Sequence, residues 1–410
     1  MRSFRYFVGI DWGSAFHQVC WLDSTRPDQP PEQATFAHSG DGLGGIVQWL
    51  LDHCQGDREQ LAVAIELTRG AVIDTLLEKG FRVFAVNPKQ LDRFRDRHTA
   101  AGAKDDRRDA FVLADSLRTD AAAFRALSSE EPWLIRLREL TRIEEELKDE
   151  VRRLSNRLHG QLQRFYPQLL QLVPGADEPW LWRLLELAPT PRQAQRLTRS
   201  KVQRLLQEGR IRRLTAEQVL EQLKRPAVFV TVSAAEAAAE HISLILPRLQ
   251  LAHDQLLQCQ RRIQRLLDEI SQGQQREHRD VEILLSLPGA GRFVAATMLA
   301  EAWRPLVQRD YHALRSHAGA APVTRQSGKR KLVCMRVACN RRLQNALFQW
   351  SLHAIRFDPR LRELYAGARR RGHGNARALR TVADRLLALL VTLLRTGRPY
   401  DPAFRLARTA

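Results

Sequence analysis

Two carboxylates stand at the start of a predicted helix in a chain that is otherwise strongly basic. The apolar spacing from Ala110 onward predicts the helix, and Asp106 and Asp109, three residues apart, project from one face of its first turn. Such a pair repels unless a cation lies between the two groups, and carboxylate oxygens are ligands that Mg²⁺ accepts. The alternative is that Asp105 caps the helix and its acidic neighbours only favour the positive end of the helix dipole.

Two more acids are predicted on apolar strands of the N-terminal region. Asp11 ends the buried strand predicted over residues 5–10, and Glu66 interrupts the apolar strand predicted over 61–67. A carboxylate at the end of a core strand is poorly placed for packing, because burying a charge without a partner is costly. The same position suits a metal ligand.

A serine with cationic neighbours is the third group that could do chemistry. Ser327 is predicted in a loop beside four cations, Arg325, Lys329, Arg330 and Lys331. Cations suit an attack of a hydroxyl on a phosphodiester, because they neutralise the phosphate and stabilise developing charge. The alternative is a turn that only touches phosphate.

The overall charge predicts a polyanionic partner. The 410 residues include 65 Lys and Arg against 46 Asp and Glu, which gives a formal net charge of +19. Nucleic acid explains this excess better than a membrane surface does, although a merely basic protein is the alternative. Five cysteines without a paired framework favour a reducing compartment. Since no apolar run reaches membrane-spanning length and no signal core begins the chain, we expect a protein that acts inside the cell.

The order of predicted elements in the first part of the chain indicates a fold. Three strands predicted as an antiparallel meander are followed by a helix and then by alternating strands and helices, over residues 5–10, 17–22, 33–38, 42–54, 61–67, 70–79 and 81–86. This is the order of the ribonuclease-H-like fold. In that fold the four acids, carried on three separate elements, would converge on one metal site.

The middle of the chain has two heptad-like seams. One runs from Trp133 to Leu172 and the other from Ile242 to Ile270, which predicts an antiparallel coiled-coil hairpin around a partly basic helical insert. Each seam would be buried on the other or on a second protomer; the alternative is packing within one chain with no oligomeric role. Beyond it, residues 284–295 predict two helices joined by a glycine turn that either approaches a nucleic-acid backbone or only connects the helices.

The predicted fold class is therefore α/β plus α. We expect an α/β catalytic domain over residues 1–125, a coiled coil with a helical insert over 126–275, and a mostly α-helical domain with the serine over 276–410.

Motifs at both ends of the chain resemble one family. The chain looks like the bacterial transposases of the insertion-sequence 110 family, which have a DEDD RuvC-like domain and a C-terminal serine transposase domain. The motifs are Gly9-Ile-Asp-Trp-Gly13, Ala64-Ile-Glu-Leu67, Val86-Asn-Pro88, Lys104-Asp-Asp-Arg-Arg-Asp-Ala110, Leu287-Pro-Gly-Ala-Gly291, Ala318-Gly-Ala-Ala-Pro322, Gln326-Ser-Gly328, Asp358-Pro359 and Tyr365.

Two positions depart from the family pattern. Asp105 stands where a small hydroxyl residue is usual, so either Asp105 or Asp106 could be the ligand, and the spacing to Asp109 favours Asp106. Cys339-Asn340 replaces the usual Gly-Asn.

The resemblance implies a DNA recombinase. A structured noncoding bridge RNA would pair with double-stranded target and donor DNA, and Ser327 would form a phosphoserine link. Asp11, Glu66, Asp106 and Asp109 would hold Mg²⁺, or Mn²⁺, as catalytic ligands. The working unit would be a homo-oligomer, dimer to tetramer, with a composite active site, in the bacterial cytoplasm near the nucleoid.

Two rival functions are compatible with parts of the sequence. A RuvC-type structure-specific nuclease would use the four acids with water as nucleophile and would leave Ser327 without a role. A non-catalytic nucleic-acid-binding protein would explain the charge but not acids at strand ends.

Overall fold

The computed structural model describes residues 4–98, 105–128, 131–226, 228–272, 276–328 and 330–402. The chain divides into two compact units, Met1–Glu131 and Pro132–Ala410.

The first unit is built on one mixed sheet. Its strands and helices, in chain order, are β1 (Tyr6–Trp12), β2 (Phe16–Asp23), β3 (Glu32–Ala37), α1 (Gly40–His53), β4 (Leu61–Ile65), α2 (Ala71–Glu78), β5 (Arg82–Ala85), α3 (Pro88–His98), α4 (Asp106–Asp120) and β6 (Arg125–Ala126). Within the described residues the sheet order is β3-β2-β1-β4-β5-β6. The predicted antiparallel meander of β1 to β3 is confirmed, and β1, β4 and β5 pair in parallel.

Helices cover both faces of this sheet. Val8 and Ile10 of β1 pack with α1 and α2, whereas Phe7 of β1 and Ala62 and Ala64 of β4 pack with α3 and α4. All five residues of β4 are buried, as expected for a parallel strand with helices on both sides.

The strand boundaries differ from the prediction by one or two residues, and two of these differences involve candidate acids. β1 continues through Asp11 to Trp12, because β2 pairs with it as far as His17. β4 ends at Ile65, the last of its residues that pairs with β1 and with β5. Glu66 therefore follows the strand and does not interrupt it.

The second unit is mostly helical. Its elements are α5 (Pro132–Phe165), α6 (Pro179–Leu187), α7 (Pro191–Ala194), α8 (Arg199–Glu208), α9 (Ala216–Lys224), α10 (Val232–Gln272), α11 (Arg276–Ser286), α12 (Arg292–Val307), α13 (Tyr311–His317), β7 (Val323–Ser327), β8 (Arg330–Cys334), α14 (Arg341–Phe357), α15 (Pro359–Arg370) and α16 (Asn375–Thr396). A mixed α/β first unit followed by a mostly helical remainder confirms this part of the predicted fold class.

The two long helices, α5 and α10, lie antiparallel against each other. Near the start of α5 the carbonyl of Leu140 accepts a hydrogen bond of 3.3 Å from Cys259 Sγ near the end of α10. The other halves of both helices pack with α6, α8 and α9 in a separate core. Most residues of both seams are thus buried or half-buried within the chain, whereas Ile143 is exposed. The first seam was expected to run on to Leu172, but α5 ends at Phe165 and a 3₁₀ turn, Pro167–Gln171, follows, because proline cannot continue the helix.

Among the described residues, no helix combines the length and the apolar character needed to cross a bilayer.

Candidate active site

Asp11 and Glu66 lie at the same edge of the sheet. The last matched pair of the parallel strands β1 and β4 is Ile10 with Ile65, and each acid comes directly after that pair. Both side chains are half-buried. The carboxyl ends of adjacent parallel strands meet at one edge, so the register alone brings these two acids side by side.

A close backbone contact brings the start of α4 to the same edge. A Cβ atom on Gly9 would lie 1.9 Å from the carbonyl oxygen of Ala110, so only glycine allows α4 to approach β1 this closely. Residues two apart on a strand face the same side, and Asp11 therefore projects toward the face that α4 covers. The other acids, Asp106 and Asp109, lie in the first turn of that helix, just before Ala110.

The three acids at the start of α4 have different environments. Asp105 is the N-cap, and its side chain accepts a hydrogen bond of 3.4 Å from the backbone N–H of Arg107. This is the capping role that the alternative interpretation gave it. Asp106 is exposed, and Asp109 is 1% exposed.

Asp109 is held by an arginine that the sequence analysis did not single out. Arg95 of α3 donates from Nε and Nη2 to the two carboxylate oxygens of Asp109, each at 2.7 Å, and from Nη1 to Asp92 at 2.5 Å. The hydrogen bond to Asp109, with the nearby charges of Asp109, Asp92 and Glu66, raises the pKa of Arg95 despite the opposing effect of its burial. The guanidinium thus balances part of the negative charge at this edge.

A row of polar side chains supports the site from the neighbouring strands. Gln18 is buried directly across from Asp11 and accepts a hydrogen bond of 2.6 Å from Thr35 Oγ1. It also donates to Gln33 at 3.4 Å, and Gln33 donates to the carbonyl of Arg107 in the first turn of α4 at 3.3 Å. These residues were missed as well. Gln33 and Thr35, at alternate positions of β3, together with Gln18 of β2 were the available signal, because they place polar side chains on the face where apolar residues are expected.

The donor set matches a hard divalent cation in type. Four carboxylates supply only oxygen ligands, which is the chemistry of Mg²⁺ and Mn²⁺ sites. In the described part of the chain, however, no three acidic, histidine or cysteine side chains lie close enough together to hold an ion as they stand. Asp109 would have to share its oxygens with Arg95 or exchange Arg95 for the ion.

Ser327 lies at the tip of a β-hairpin and not in the predicted loop. It is the last residue of β7 and pairs with Arg330, the first residue of β8, and Gly328 in the turn has a φ of +55°. Tight hairpin turns favour glycine because they need positive φ. Three of the predicted cations, Arg325, Arg330 and Lys331, are exposed on the same hairpin. The fourth, Lys329, lies outside the described residues.

The other C-terminal motifs have structural roles in the fold. A Cβ atom on Gly289, whose φ is +73°, would lie 2.6 Å from the backbone nitrogen of Ala354, and Trp350 Nε1 donates to the carbonyl of Pro288 at 3.0 Å. The glycine turn is therefore packed against α14, as a connector would be. Asn340 caps α14, and Asp358 caps α15.

Two family models of known proteins match this chain, one over the region of the acids and one over the region of the serine. Residues 8–167 match the family model for DEDD transposases of the IS110 type, described as "Transposase", and residues 281–366 match the model "Transposase IS116/IS110/IS902 family". The chain is 32% identical over 412 residues to the "Mini-circle putative transposase for IS117" of Streptomyces coelicolor, which covers 97% of this chain and 96% of that protein. The chain belongs to the IS110/IS116/IS902 transposase family.

Two further relatives differ in how much of the chain they match. The "Putative transposase y4uE" of Sinorhizobium fredii is 44% identical over 213 residues, and the chain spans 58% of its length. An insertion element IS116 protein of Streptomyces clavuligerus is 28% identical over 421 residues, which is 100% of this chain and 99% of that protein. The first family model includes all four candidate acids of this IS110-family chain, and the second includes Ser327.

Proposed function

We propose that this protein is a DNA recombinase that cuts and rejoins DNA to move its own element. The observation that supports the proposal is the shared register of Asp11 and Glu66 at the edge where α4, the helix that carries Asp106 and Asp109, begins. The family membership gives the reaction class, and the acids and Ser327 give the chemistry.

The first unit is, in this proposal, a ribonuclease-H-like domain of the RuvC type. A meander followed by two parallel strands, with helices on both faces, supports this fold. Asp11, Glu66, Asp106 and Asp109 would hold Mg²⁺ or Mn²⁺, and such an ion would polarise a DNA phosphate and stabilise charge on a departing oxygen. The division into domains over 1–125, 126–275 and 276–410 belongs to the same proposal.

Ser327 is proposed as the nucleophile. Its Oγ loses its proton and forms a bond to phosphorus, the bond from phosphorus to the 3′ oxygen breaks, and the 3′ oxygen gains a proton. The phosphoserine link keeps the energy of one phosphodiester, so strands can be rejoined after exchange without an external energy source. Arg325, Arg330 and Lys331, exposed on the same hairpin, would neutralise the phosphate under attack, and we assign the same role to Lys329.

The proposed partners are double-stranded target and donor DNA and a structured noncoding guide RNA. A net charge of +19 suits several phosphate contacts at once. The guide RNA follows from the family resemblance alone. Finding a foldable noncoding transcript beside the gene, and its co-purification with the protein, would test it.

The working unit is proposed to be a homo-oligomer with an active site shared between protomers, a dimer that pairs into a tetramer on two DNA duplexes. The acids and Ser327 lie in different units of the chain. Because most of the residues in the long seams pack within one chain, the seams by themselves do not motivate assembly. The leucines at 244 and 251, seven residues apart on α10, are 72% and 59% exposed and offer a different apolar contact.

Ser327→Ala separates the candidate functions. The recombinase proposal predicts loss of strand cleavage and of the covalent protein–DNA product, with DNA binding retained. A nuclease that uses water would still cleave, and a non-catalytic binder would not cleave before or after the change. Thr324→Ala on the same hairpin is a matched control that should keep activity.

Mixing two inactive proteins tests the shared site. Ser327→Ala and Asp11→Asn proteins are each expected to be inactive, and a mixed oligomer regains one complete site if the site is built from two protomers. Absence of cleavage in proven mixed oligomers would show that each protomer completes its own site.

A further inference from the structure

The pair formed by Arg95 and Asp109 differs from the other ion pairs of α3. Both oxygens of Asp109 are engaged, at 2.7 Å each, and the carboxylate is almost completely buried. Arg97, two positions further along the same helix, bonds to Asp120 at 2.6 Å, but that pair lies at the surface. A buried carboxylate needs a partner, whereas an exposed one is stabilised by water.

The guanidinium of Arg95 also lies within the electrostatic reach of a second candidate ligand. The charge of Glu66 contributes to the raised pKa of Arg95. A third nitrogen of Arg95, Nη1, donates to Asp92, which is mostly exposed and lies one turn earlier on α3. Among the described residues, Arg95 is thus a cation that bonds directly to one candidate ligand of this edge.

We propose that Arg95 is the resident counter-cation of the acidic site: it positions Asp109 in the metal-free protein and competes with a divalent cation for the same carboxylate. The inference rests on the proposed metal site. In this proposal the ion and Arg95 compete for the oxygens of Asp109, and the two positive charges repel each other at short range.

The proposal predicts a gain in metal affinity when the arginine is removed. A residue with a purely structural role would leave affinity unchanged, and a residue that only holds Asp109 in a ligating geometry would weaken binding when replaced. Loss of one competing charge a few ångströms away is expected to lower the Kd for Mn²⁺ on the order of tenfold.

Isothermal titration calorimetry of the full-length protein with Mn²⁺ tests this. The variants are Arg95→Gln, Arg95→Lys, and Arg97→Gln as the matched control on the same helix, with Asp11→Asn to define binding at the site. We expect Arg95→Gln to bind Mn²⁺ about tenfold more tightly than the unchanged protein and Arg97→Gln to match it. Arg95→Lys retains the positive charge but cannot donate two parallel hydrogen bonds to Asp109. Its Kd for Mn²⁺ should therefore lie between that of Arg95→Gln and that of the unchanged protein.

The outcomes separate this inference from the proposed function. Equal or weaker Mn²⁺ binding by Arg95→Gln, in a protein whose binding depends on Asp11, overturns the role of Arg95 and leaves the metal site intact. If no variant binds Mn²⁺ in an Asp11-dependent way, the metal site itself is refuted and this inference falls with it. Should circular dichroism show that Arg95→Gln does not fold, Arg95→Lys decides, because equal affinity to the unchanged protein then counts against the proposal.

Discussion

Replacing Gly9 by alanine should disrupt the first unit severely, although it adds a single methyl group. The new Cβ would lie 1.9 Å from the carbonyl oxygen of Ala110, 2.6 Å from the backbone nitrogen of Ala114 and 2.8 Å from Leu113 Cβ. Ordinary contacts begin near 3.4 Å, so α4 would have to move by about 1.5 Å. These neighbours are backbone atoms or a Cβ, and no flexible side chain can turn away.

The expected cost follows from overpacking in a close-packed core. Such insertions cost about 1–3 kcal/mol where neighbours adjust, and we expect at least the upper part of this range here because a whole helix must shift. The same shift moves Asp106 and Asp109 away from Asp11. Gly9→Ala should therefore lower both the free energy of unfolding and the Asp11-dependent binding of Mn²⁺.

Urea unfolding followed by circular dichroism measures the first effect, and calorimetry measures the second. Gly44→Ala is the matched control: Gly44 lies inside α1, and apart from its chain neighbours and the nearby backbone of its own helix, no atom lies within 4 Å of the position that its new methyl group would take. That change should be neutral or stabilise by up to about 1 kcal/mol. Equal stability of Gly9→Ala and the unchanged protein would refute the close approach of α4 to β1, and with it the proposed convergence of the acids.

Three further predictions concern other parts of the chain. Burial, with the charge of His38, lowers the pKa of His17 below its ordinary 6.5, so the unfolded chain takes up the proton at a higher pH than the folded protein does. The free energy of unfolding should therefore fall as the pH drops below 6.5. His17→Gln should flatten that part of a pH series of unfolding curves. Asp280→Asn leaves the buried Arg309 without its carboxylate partner and should cost about 3 kcal/mol or more in urea unfolding, while Glu363→Gln, in an exposed pair with Arg370, should change little. DNA affinity measured by fluorescence anisotropy should fall steeply as salt rises, because neutralised phosphates release counterions, and a flat titration would contradict the charge argument.

Strands β1 to β5 and helices α1, α2 and α4 of the first unit were predictable, because their apolar residues follow simple patterns, whereas β6 and α3 were not predicted. β4 reads as a continuous apolar run, which is what a strand covered on both faces requires, and β1 to β3 are neighbours in both sequence and sheet order. The start of α4 was also predictable, because Asp105 is a good N-cap and apolar spacing begins at Ala110. These features depend on neighbours in sequence or on one repeating pattern.

The hairpin that carries Ser327 could not be predicted in the same way. Its strands are short and largely exposed, with Leu332 and Val333 at 50% and 60% exposure, so the alternation that identifies a half-buried strand is absent. A serine beside a glycine and several cations is typical of a loop. The turn at Gly328 is a hairpin signal only when its flanking residues are already known to pair.

The pairing of Arg95 with Asp109 could not be predicted from sequence spacing either. Helical spacing identifies Asp106 and Asp109 as residues of one face, but it does not say which cation meets them, because that depends on how α3 packs against α4. Arg95 and Arg97 have similar surroundings in sequence, each with acids nearby, yet one pairs with a buried carboxylate and the other with a surface one. Burial of the partner decides which pair can compete with a metal ion. The chain has 65 Lys and Arg, so a cluster of acids predicted from spacing can meet an arginine of a neighbouring helix as readily as a metal ion.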